Sequence, residues 1–295
     1  MELALRLGGE IVSCDSVQVY RGLDIGSGKP TPEERARVPH HLVDILDIDE
    51  EMNAAVFAQR AAAAIADILR RGRLPIVTGG TGLYLTALLK GLFEQGTADP
   101  SLRGRIETLA NRHGSVRLHR LLQARDPEYA RKTQPTDRVR IVRALEVCFA
   151  LGRPFSRAQQ DRRPAYSGET LIAGLDPGRD ELRSRVTARV KRMLADGLVE
   201  EVRSALASRP EGRPIPRPLG AIGYREAVAR LASGAPEAGG DDKLQRAIVD
   251  STMQYAKRQM TYFRRQFDVE WFAESSAAAE RVTRWVRRQQ MGKQE

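Results

Sequence analysis

Cysteine is scarce in this chain of 295 residues, and long hydrophobic runs are missing from it. The only two cysteines, Cys14 and Cys148, are far apart and lack metal-ligand spacing, which argues against a disulfide framework and a zinc site. No window approaches eighteen uninterrupted apolar residues, so a membrane-spanning helix is not expected. The first ten residues, MELALRLGGE, lack the basic start and apolar stretch of a signal peptide. These absences predict a cytoplasmic protein without a membrane partner, in which both cysteines are buried as small hydrophobic residues.

Charge is plentiful but unevenly distributed. Hydrophobic residues make up 41% and charged residues 29%, which predicts a globular chain, and the length favours two domains. The net charge is +10, and residues 101–163 hold fifteen Lys or Arg against six Asp or Glu, a net of +9. Such a stretch is typical either of a solvated helical surface or of a surface that contacts nucleic acid. Charge alone leaves both interpretations open.

The order of apolar segments predicts strands that alternate with helices. The predicted strands are residues 10–14, 74–78, 170–175 and 269–272. The predicted helices are residues 54–71, with Gly72 as C-cap, 180–207 and 243–266. Alternation of this kind implies a mainly parallel sheet covered by helices on both faces. Ligands gather at the carboxyl ends of such strands, where Asp15 and Gly79 fall.

The stretch between the second and third predicted strands has no convincing strand of its own. It contains helical segments at residues 102–110 and 138–151, which polar and proline-containing breaks separate. We therefore predict an α/β core of residues 1–95 and 164–295 with an inserted all-helical domain of residues 96–163.

A glycine-rich segment, Gly26-Ser27-Gly28-Lys29-Pro30, is similar to a phosphate-binding P-loop but does not match it. Pro30 stands where the magnesium-binding hydroxyl belongs, and Leu23 stands where the first glycine belongs. This pattern favours a loop in which Lys29 faces an anion. The segment Glu2 to Leu7 resembles the last turns of a helix that no strand or glycine turn precedes, so the first strand–loop–helix unit of the core is incomplete.

Five motifs, in this order, resemble those of the bacterial tRNA isopentenyltransferase family. They are DSVQVYRGLDIGSGKP at 15–30, GGTGLY at 79–84, DRVRIVRALEV at 137–147, GAIGYR at 220–225 and QYAKRQMTYFR at 254–264. Together they span nearly the whole chain. The resemblance implies a P-loop-kinase-like parallel sheet covered by helices, with an inserted all-helical domain.

The resemblance also implies a reaction. Family members transfer a dimethylallyl group from dimethylallyl diphosphate to the exocyclic amine of the adenine 3′ of the anticodon, releasing diphosphate with the assistance of magnesium. The implied partners are the tRNA anticodon stem-loop and dimethylallyl diphosphate, and a monomer is expected. Family members begin with a strand and a P-loop that this chain lacks. We therefore expect little transfer by residues 1–295 and efficient transfer by a form extended upstream, which assays with labelled donor would compare.

Within these motifs, four residues are candidates for the chemistry. The adenine amine is a poor nucleophile, so a carboxylate must accept its proton, and Asp15 is the candidate base; its alternative role is a turn cap. Thr81 contacts substrate or orients Asp15, or else caps a helix. Lys29 and Arg189 are the candidates for binding the diphosphate, whose developing charge needs fixed cations. The other basic residues around Arg189 are interpreted as a solvated helix face.

Further residues are candidates for binding tRNA. Gln18 is favoured for the adenine because Gln pairs with adenine edges, whereas Val17 is also interpretable as core. Arg140 and Arg143 lie three apart on one helix face and would meet phosphates. The alternative interpretation of Tyr224 is a partly buried aromatic residue of the core. The full predicted tRNA-binding set is Asp15, Ser16, Val17, Gln18, Arg103, Val139, Arg140, Ile141, Val142, Arg143, Gly220, Ala221, Ile222, Gly223, Tyr224 and Arg225.

Three rival functions stay open at this point. The first is prenyl transfer to free adenine nucleotides, which the basic insertion disfavours because a small acceptor needs no RNA-binding domain. The second is a P-loop kinase or NTPase, which a nucleotide hydrolysis assay would distinguish. The third is a catalytically impaired RNA-binding homologue.

Overall fold

A computed structural model of the chain describes residues 1–92, 99–210, 212–233 and 240–291. The chain divides into two compact units. The larger comprises residues 1–86 and 167–295, and the smaller comprises residues 87–166. None of the described helices is both long and apolar enough to cross a membrane.

The described elements are mostly helical. The strands are β1 (Gly9–Cys14), β2 (His40–His41), β3 (Leu74–Gly79), β4 (Ala173–Leu175) and β5 (Glu270–Phe272). The helices are α1 (Glu2–Leu7), α2 (Pro32–Arg37), α3 (Ala54–Arg70), α4 (Gly82–Lys90), α5 (Pro100–Arg125), α6 (Pro127–Lys132), α7 (Arg138–Leu151), α8 (Phe155–Ala158), α9 (Arg179–Ala195), α10 (Leu198–Ala207), α11 (Tyr224–Ser233), α12 (Gly240–Gln266) and α13 (Ser275–Met291). Short 3₁₀ turns lie at Gln159–Asp161 and Arg217–Gly220.

The larger unit is built on parallel strands. β1 lies between β2 and β3, and both neighbours run parallel to it. All six residues of β1 are buried, as expected for the central strand of a parallel sheet. β4 and β5 form a second parallel pair, and in the described part of the chain each of β3 and β4 has one unpaired edge. The predicted α/β class is confirmed, with the strands in two sheets instead of one.

Several element boundaries differ from the sequence-based predictions. The single helix predicted for residues 180–207 is wrong, because α9 ends before Gly197, whose φ of 99° is incompatible with a helix. The segment 102–110 is part of the longer α5, which kinks at Gly114 (φ 75°). The predicted helix 138–151 is confirmed as α7.

The smaller unit has its own apolar core. α5 and α7 pack against each other through fully buried side chains such as Leu122 and Leu145. Buried His119 bonds the carbonyl oxygens of Ala130 and Thr133 through Nε2, at 3.0 Å each. These contacts tie α5 to the short α6, so the unit holds its helices in place without any described strand.

An ion cluster lies at the amino end of β1, opposite the end that carries Asp15. The fully buried Glu10 carboxylate accepts two hydrogen bonds from the Arg71 guanidinium, and His41 Nε2 lies 2.7 Å from Glu10 Oε2. Hydrogen bonding to Arg71, opposed by burial and assisted by His41, lowers the pKa of Glu10 from 4.5 to about 2. The cluster joins β1 to β2 and to the end of α3.

Replacing Glu10 by Gln should therefore cost stability in a pH-dependent manner. The lowered pKa makes the carboxylate contribute about 2–3 kcal/mol above pH 4.5, and this contribution is lost as the pH falls from 4.5 towards about 2. Chemical denaturation of parent and variant at several pH values measures the difference. Glu2→Gln, on the exposed start of α1, is the control and should show no such pH dependence. A Glu10→Gln penalty that stays constant down to pH 2 would contradict this origin.

Candidate active site

Asp15 follows β1 directly and begins the turn at the carboxyl end of the sheet. Its Oδ1 accepts the backbone N–H groups of Val17 (2.7 Å) and Gln18 (3.2 Å). Among the described residues, Oδ2 has no hydrogen-bond partner. The side chain is half-buried. Asp15 thus caps its turn with one oxygen, which fixes the carboxylate, while the other oxygen has no donor among the described residues.

Thr81 lies beside this turn because two bonds join it to Cys14. Its backbone N–H donates to the Cys14 carbonyl (3.3 Å), and the Cys14 Sγ lies 3.7 Å from the Thr81 carbonyl oxygen. Burial, followed by the nearby Asp15 charge, raises the pKa of Cys14 to about 12. Gly79 has φ 146°, and a Cβ there would lie 2.3 Å from the Cys14 carbonyl oxygen. Only glycine permits this approach of β3 to β1.

The Thr81 hydroxyl has no hydrogen bond to any described residue, whereas the Thr81 carbonyl accepts the N–H groups of Tyr84 and Leu85. Thr81 therefore neither caps α4 with its side chain nor bonds Asp15 directly. Of the roles expected from sequence, substrate contact is the one that this geometry leaves open.

Helix α12 supports the glycine turn from behind. Gln259 Nε2 donates to the Gly80 carbonyl (2.8 Å), and Tyr262 shares a hydrogen bond with Thr86 (2.8 Å). A Cβ on Gly82 would lie 2.4 Å from the Tyr262 ring, so the turn accepts only glycine there.

Burial raises the pKa of Tyr255, and the Asp15 charge adds to this effect. Tyr255, Gln259 and Tyr262 belong to the motif at 254–264, for which the sequence alone indicated no individual roles.

Lys29 differs most from its expected role. Its side chain is 2% exposed, and its Nζ donates to the Tyr20 carbonyl (2.8 Å) and to the carboxylates of Asp24 and Asp44. Burial of Asp44 is outweighed by Lys29 and Arg35, which lower the pKa of that carboxyl. All three ammonium protons are used within the protein. The predicted diphosphate contact by Lys29 would require these bonds to be exchanged.

Arg189 is the accessible cation beside the same loop. It lies on the exposed side of α9, and its guanidinium donates to the Ser27 carbonyl at 3.4 Å. It also lies so close to Gly28 (φ 59°) that a Cβ there would be 2.5 Å from the guanidinium. Its remaining N–H groups keep no bond to a described residue, which suits the predicted diphosphate role.

The Gln18 side chain is already engaged. Its Oε1 accepts from the Ser13 hydroxyl (2.9 Å), and its Nε2 donates to the carbonyls of Ser27 (3.4 Å) and Gly28 (3.2 Å). One lone pair of Gln18 Oε1 is left to accept a hydrogen bond from adenine. Ser16 is exposed and Val17 is half-buried, so both are accessible to a ligand at this turn.

The segment from Gly220 to Arg225 divides into exposed and buried residues. Gly220 and Arg225 are exposed, Ala221 and Ile222 are partly exposed, and Gly223 is buried. Tyr224 is fully buried, so its side chain offers no surface to RNA and belongs to the core, as its alternative interpretation had it. The tRNA-contact prediction for the rest of the segment stays a prediction.

The predicted tRNA-binding residues of α7 also divide by burial. Val139 is 75% exposed and Arg140 is exposed at the start of the helix. Ile141 and Val142 are buried in the core of the smaller unit, which corrects the prediction that their side chains contact tRNA. Arg143 donates to the buried Glu146 (2.9 Å), so it has a structural role. Arg103 is exposed on α5 and pairs with Glu107.

The described residues do not assemble a metal site by themselves. No three His, Cys, Asp or Glu side chains among them converge closely enough to hold an ion. Among residues 15–19, which follow β1, Asp15 is the one carboxylate.

Fold and site together are those of an α/β enzyme whose candidate ligand site lies at the carboxyl ends of parallel strands, beside a glycine turn. The family model described as IPP transferase matches residues 18–266. The chain belongs to this family, and its α/β fold is the P-loop-like fold of the tRNA isopentenyltransferases.

Individual relatives agree with this assignment. A protein of Geobacter metallireducens named tRNA dimethylallyltransferase is 48% identical over 92% of this chain and 86% of that protein. One of Anaeromyxobacter dehalogenans with the same name is 48% identical over 95% of this chain and 92% of that protein. The solved tRNA isopentenylpyrophosphate transferase of Bacillus halodurans is 34% identical, covers 97% of this chain and 89% of its own, and superposes with a TM-score of 0.65. A eukaryotic dimethylallyltransferase acting on tRNA has a TM-score of 0.76 at 25% identity, with 94% and 70% of the two chains covered.

Proposed function

We propose that this chain transfers a dimethylallyl group from dimethylallyl diphosphate to the exocyclic amine of the adenine immediately 3′ of the anticodon in tRNA. The names of its relatives support dimethylallyl transfer to tRNA. The observation that carries the proposal is the Asp15 carboxylate, which is held by two amides through one oxygen and is open through the other. It lies beside Thr81, where both core strands end.

The chemistry follows from what this carboxylate can do. The adenine amine bonds to the first carbon of the prenyl group, the bond from that carbon to the diphosphate oxygen breaks, and its electron pair leaves with the diphosphate. The amine loses a proton, which Asp15 accepts. A base held in position contributes about 10² to 10⁴ in rate. The adenine must first leave its stack, which costs a few kcal/mol.

Charge on the leaving group needs a cation near the same strand ends. Arg189 supplies it in this proposal, since its guanidinium is exposed and makes one long bond to Ser27. Magnesium is the expected cofactor, because it binds phosphate oxygens readily and keeps much of its water. The described residues alone do not form its site. When bound, magnesium would offset the charge on the departing diphosphate.

The smaller unit is proposed to bind the anticodon stem-loop through phosphates. Its basic stretch has a net charge of +9, and exposed Arg140 stands at the amino end of α7 beside exposed Val139. Phosphate contacts position an RNA without reading its sequence. Cytoplasmic location and a monomeric state also stay proposals.

The salt dependence of tRNA binding tests this surface. Arg140→Gln should weaken the affinity for all tRNAs alike and reduce the slope of log affinity against log salt by about 0.7–0.9, the value for one lost phosphate contact. Including Arg143 in a double variant should reduce the slope by one to two units, but that variant also leaves buried Glu146 unpaired. The change in slope for the single variant is therefore easier to interpret, because it does not include the loss of the Arg143–Glu146 pair.

Lys132→Gln is the matched control, because it removes one exposed charge from the same unit. An Arg140→Gln slope no different from that of the control would contradict a phosphate contact. It would favour a solvated helix face instead.

The acceptor class is tested by offering labelled dimethylallyl diphosphate with either unmodified tRNA or free AMP, ADP and ATP. The proposal predicts label in tRNA alone. Label in the free nucleotides would favour the rival adenine-nucleotide prenyltransferase, and nucleotide hydrolysis without label transfer would favour an NTPase.

A further inference from the structure

One carboxylate holds the loop that precedes Lys29. Glu201, on α10, accepts the backbone N–H groups of Asp24 and Ile25 at 2.8 Å through Oε2 and that of Gly26 at 3.2 Å through Oε1. Three consecutive amides directed at one anion form the kind of concave site that proteins use for phosphate. Here the anion belongs to the protein.

Tyr224 extends this arrangement by one residue. Its hydroxyl donates to Glu201 Oε1 (2.8 Å) and accepts the N–H of Ser27 (3.1 Å). The side chain is fully buried, and burial together with the Glu201 charge raises the pKa of Tyr224. A Cβ on Gly26 would lie 2.5 Å from the Tyr224 ring, which explains a glycine at this position. We call Glu201 and Tyr224 the loop clamp.

The loop clamp accounts for the P-loop-like glycine at 26, whereas Gly28 has a φ of 59° and lies against Arg189. The amide donors of residues 24–27 are already paired with Glu201 and Tyr224, so they are not available to a diphosphate. Lys29, at the end of the segment, is likewise consumed by Tyr20, Asp24 and Asp44. The segment is a scaffold with an internal anion in place of a ligand.

The scaffold contacts the neighbouring side chains through its backbone carbonyl groups. The Ser27 and Gly28 carbonyls accept from Gln18 Nε2, and the Ser27 carbonyl also accepts from Arg189. Gln18 shares its turn with Asp15, because the Gln18 N–H donates to Asp15 Oδ1. A continuous set of bonds thus leads from Glu201, through the loop, to the residues expected to meet adenine and diphosphate.

We propose that Glu201 and Tyr224 are positioning residues for prenyl transfer, which set Gln18 and Arg189 by fixing the loop of residues 24–28. This inference rests on the function proposed above for Asp15 and Arg189. Both clamp side chains are bonded within the protein, so in this proposal they act on substrate only through the loop. Their removal should therefore lower the turnover number more than it weakens tRNA binding.

Glu201→Gln tests the clamp directly. The amide of Gln offers one acceptor and directs N–H groups at the loop amides, so it cannot replace the carboxylate. We expect hydrogen exchange at the amides of residues 24–26 to accelerate by about tenfold or more. We also expect kcat for prenyl transfer to fall by about tenfold or more, with tRNA affinity within about twofold of the parent.

Glu200→Gln is the matched control, since this exposed neighbour on α10 pairs only with Arg203 among the described residues. It should change neither exchange nor kcat. Tyr224→Phe is the second variant, because it keeps the buried ring and removes only the hydroxyl. It should accelerate exchange at Ser27 and lower kcat in the same direction as Glu201→Gln.

Unchanged exchange at residues 24–27 in both variants would overturn the clamp. Faster exchange with unchanged kcat, or equal losses of kcat and tRNA affinity, would overturn the positioning role and leave a purely structural one. Each variant is assayed as residues 1–295 and as the form extended upstream, against the parent of the same length. Failure of the proposed function is distinguishable, because it shows as label that reaches tRNA with neither parent, whereas the clamp is judged by each variant against its own parent.

Discussion

Asp15→Asn is expected to lower the rate of prenyl transfer by about 10² or more and to leave tRNA binding nearly unchanged. Asn matches Asp in shape, and its side-chain oxygen can accept the N–H groups of Val17 and Gln18 that now bond Asp15 Oδ1. It cannot take a proton from the adenine amine. Single-turnover transfer of labelled donor and equilibrium tRNA binding measure the two effects separately.

The assays use two forms of the enzyme side by side. One is residues 1–295, and the other is extended upstream by the family's strand and phosphate-binding loop. Each variant is compared with the parent of the same length. Asp47→Asn, at an exposed carboxylate that pairs with Arg21, is the control and should keep full rate. Equal losses of rate and tRNA binding in Asp15→Asn, or a loss that tracks thermal stability, would make Asp15 a turn cap only.

Lys29→Met is expected to destabilise the protein by about 2–4 kcal/mol. Removing one partner of a buried ion pair costs about 3–5 kcal/mol, and the partial exposure of Asp44 and Asp24 lowers this figure. The ammonium joins Tyr20, Asp24 and Asp44, so its loss leaves the Tyr20 carbonyl and the Asp24 carboxylate without this donor and leaves Asp44 paired with Arg35 alone. Denaturant unfolding of the purified variant measures the change.

The same variant separates the structural role of Lys29 from the role predicted from sequence. If Lys29 bound the diphosphate, Lys29→Met would raise the KM for the donor. The free energy of unfolding would stay nearly unchanged, since residues that only bind a ligand are not needed for folding. Lys132→Met, at an exposed i,i+4 pair, is the control and should change stability by less than about 0.5 kcal/mol. A fully stable Lys29→Met protein with weakened donor binding would contradict the structural assignment.

The sequence predicts an element of this fold well when the pattern that encodes it lies within a few consecutive residues. The strands at 10–14 and 74–78 were predictable because a short, largely apolar run ends at a polar turn or a glycine, and both are confirmed within β1 and β3. The break at Gly197 was missed because the apolar pattern continues through it in phase. β2, with two residues, is too short to carry any periodicity.

The residues of the candidate site were predictable only where they lie in a recognisable local motif. Asp15 and Thr81 stand at strand ends, which the order of elements places together. Lys29 was assigned to the diphosphate because the sequence does not show that Asp44 folds back to it. Glu201 was missed altogether, since it meets Asp24 across 177 positions of sequence and no local pattern records such a contact.

The central claim is that the chain prenylates one adenine of tRNA, and nucleoside mass spectrometry of the reacted tRNA tests it most directly. Unmodified tRNA is incubated with isotope-labelled dimethylallyl diphosphate and either enzyme form, then digested and sequenced by fragment mass. The account predicts one labelled dimethylallyl group on the exocyclic amine of the adenine immediately 3′ of the anticodon, and none when that adenine is replaced by guanine. Label at another nucleotide, or label that persists after the replacement, would contradict it.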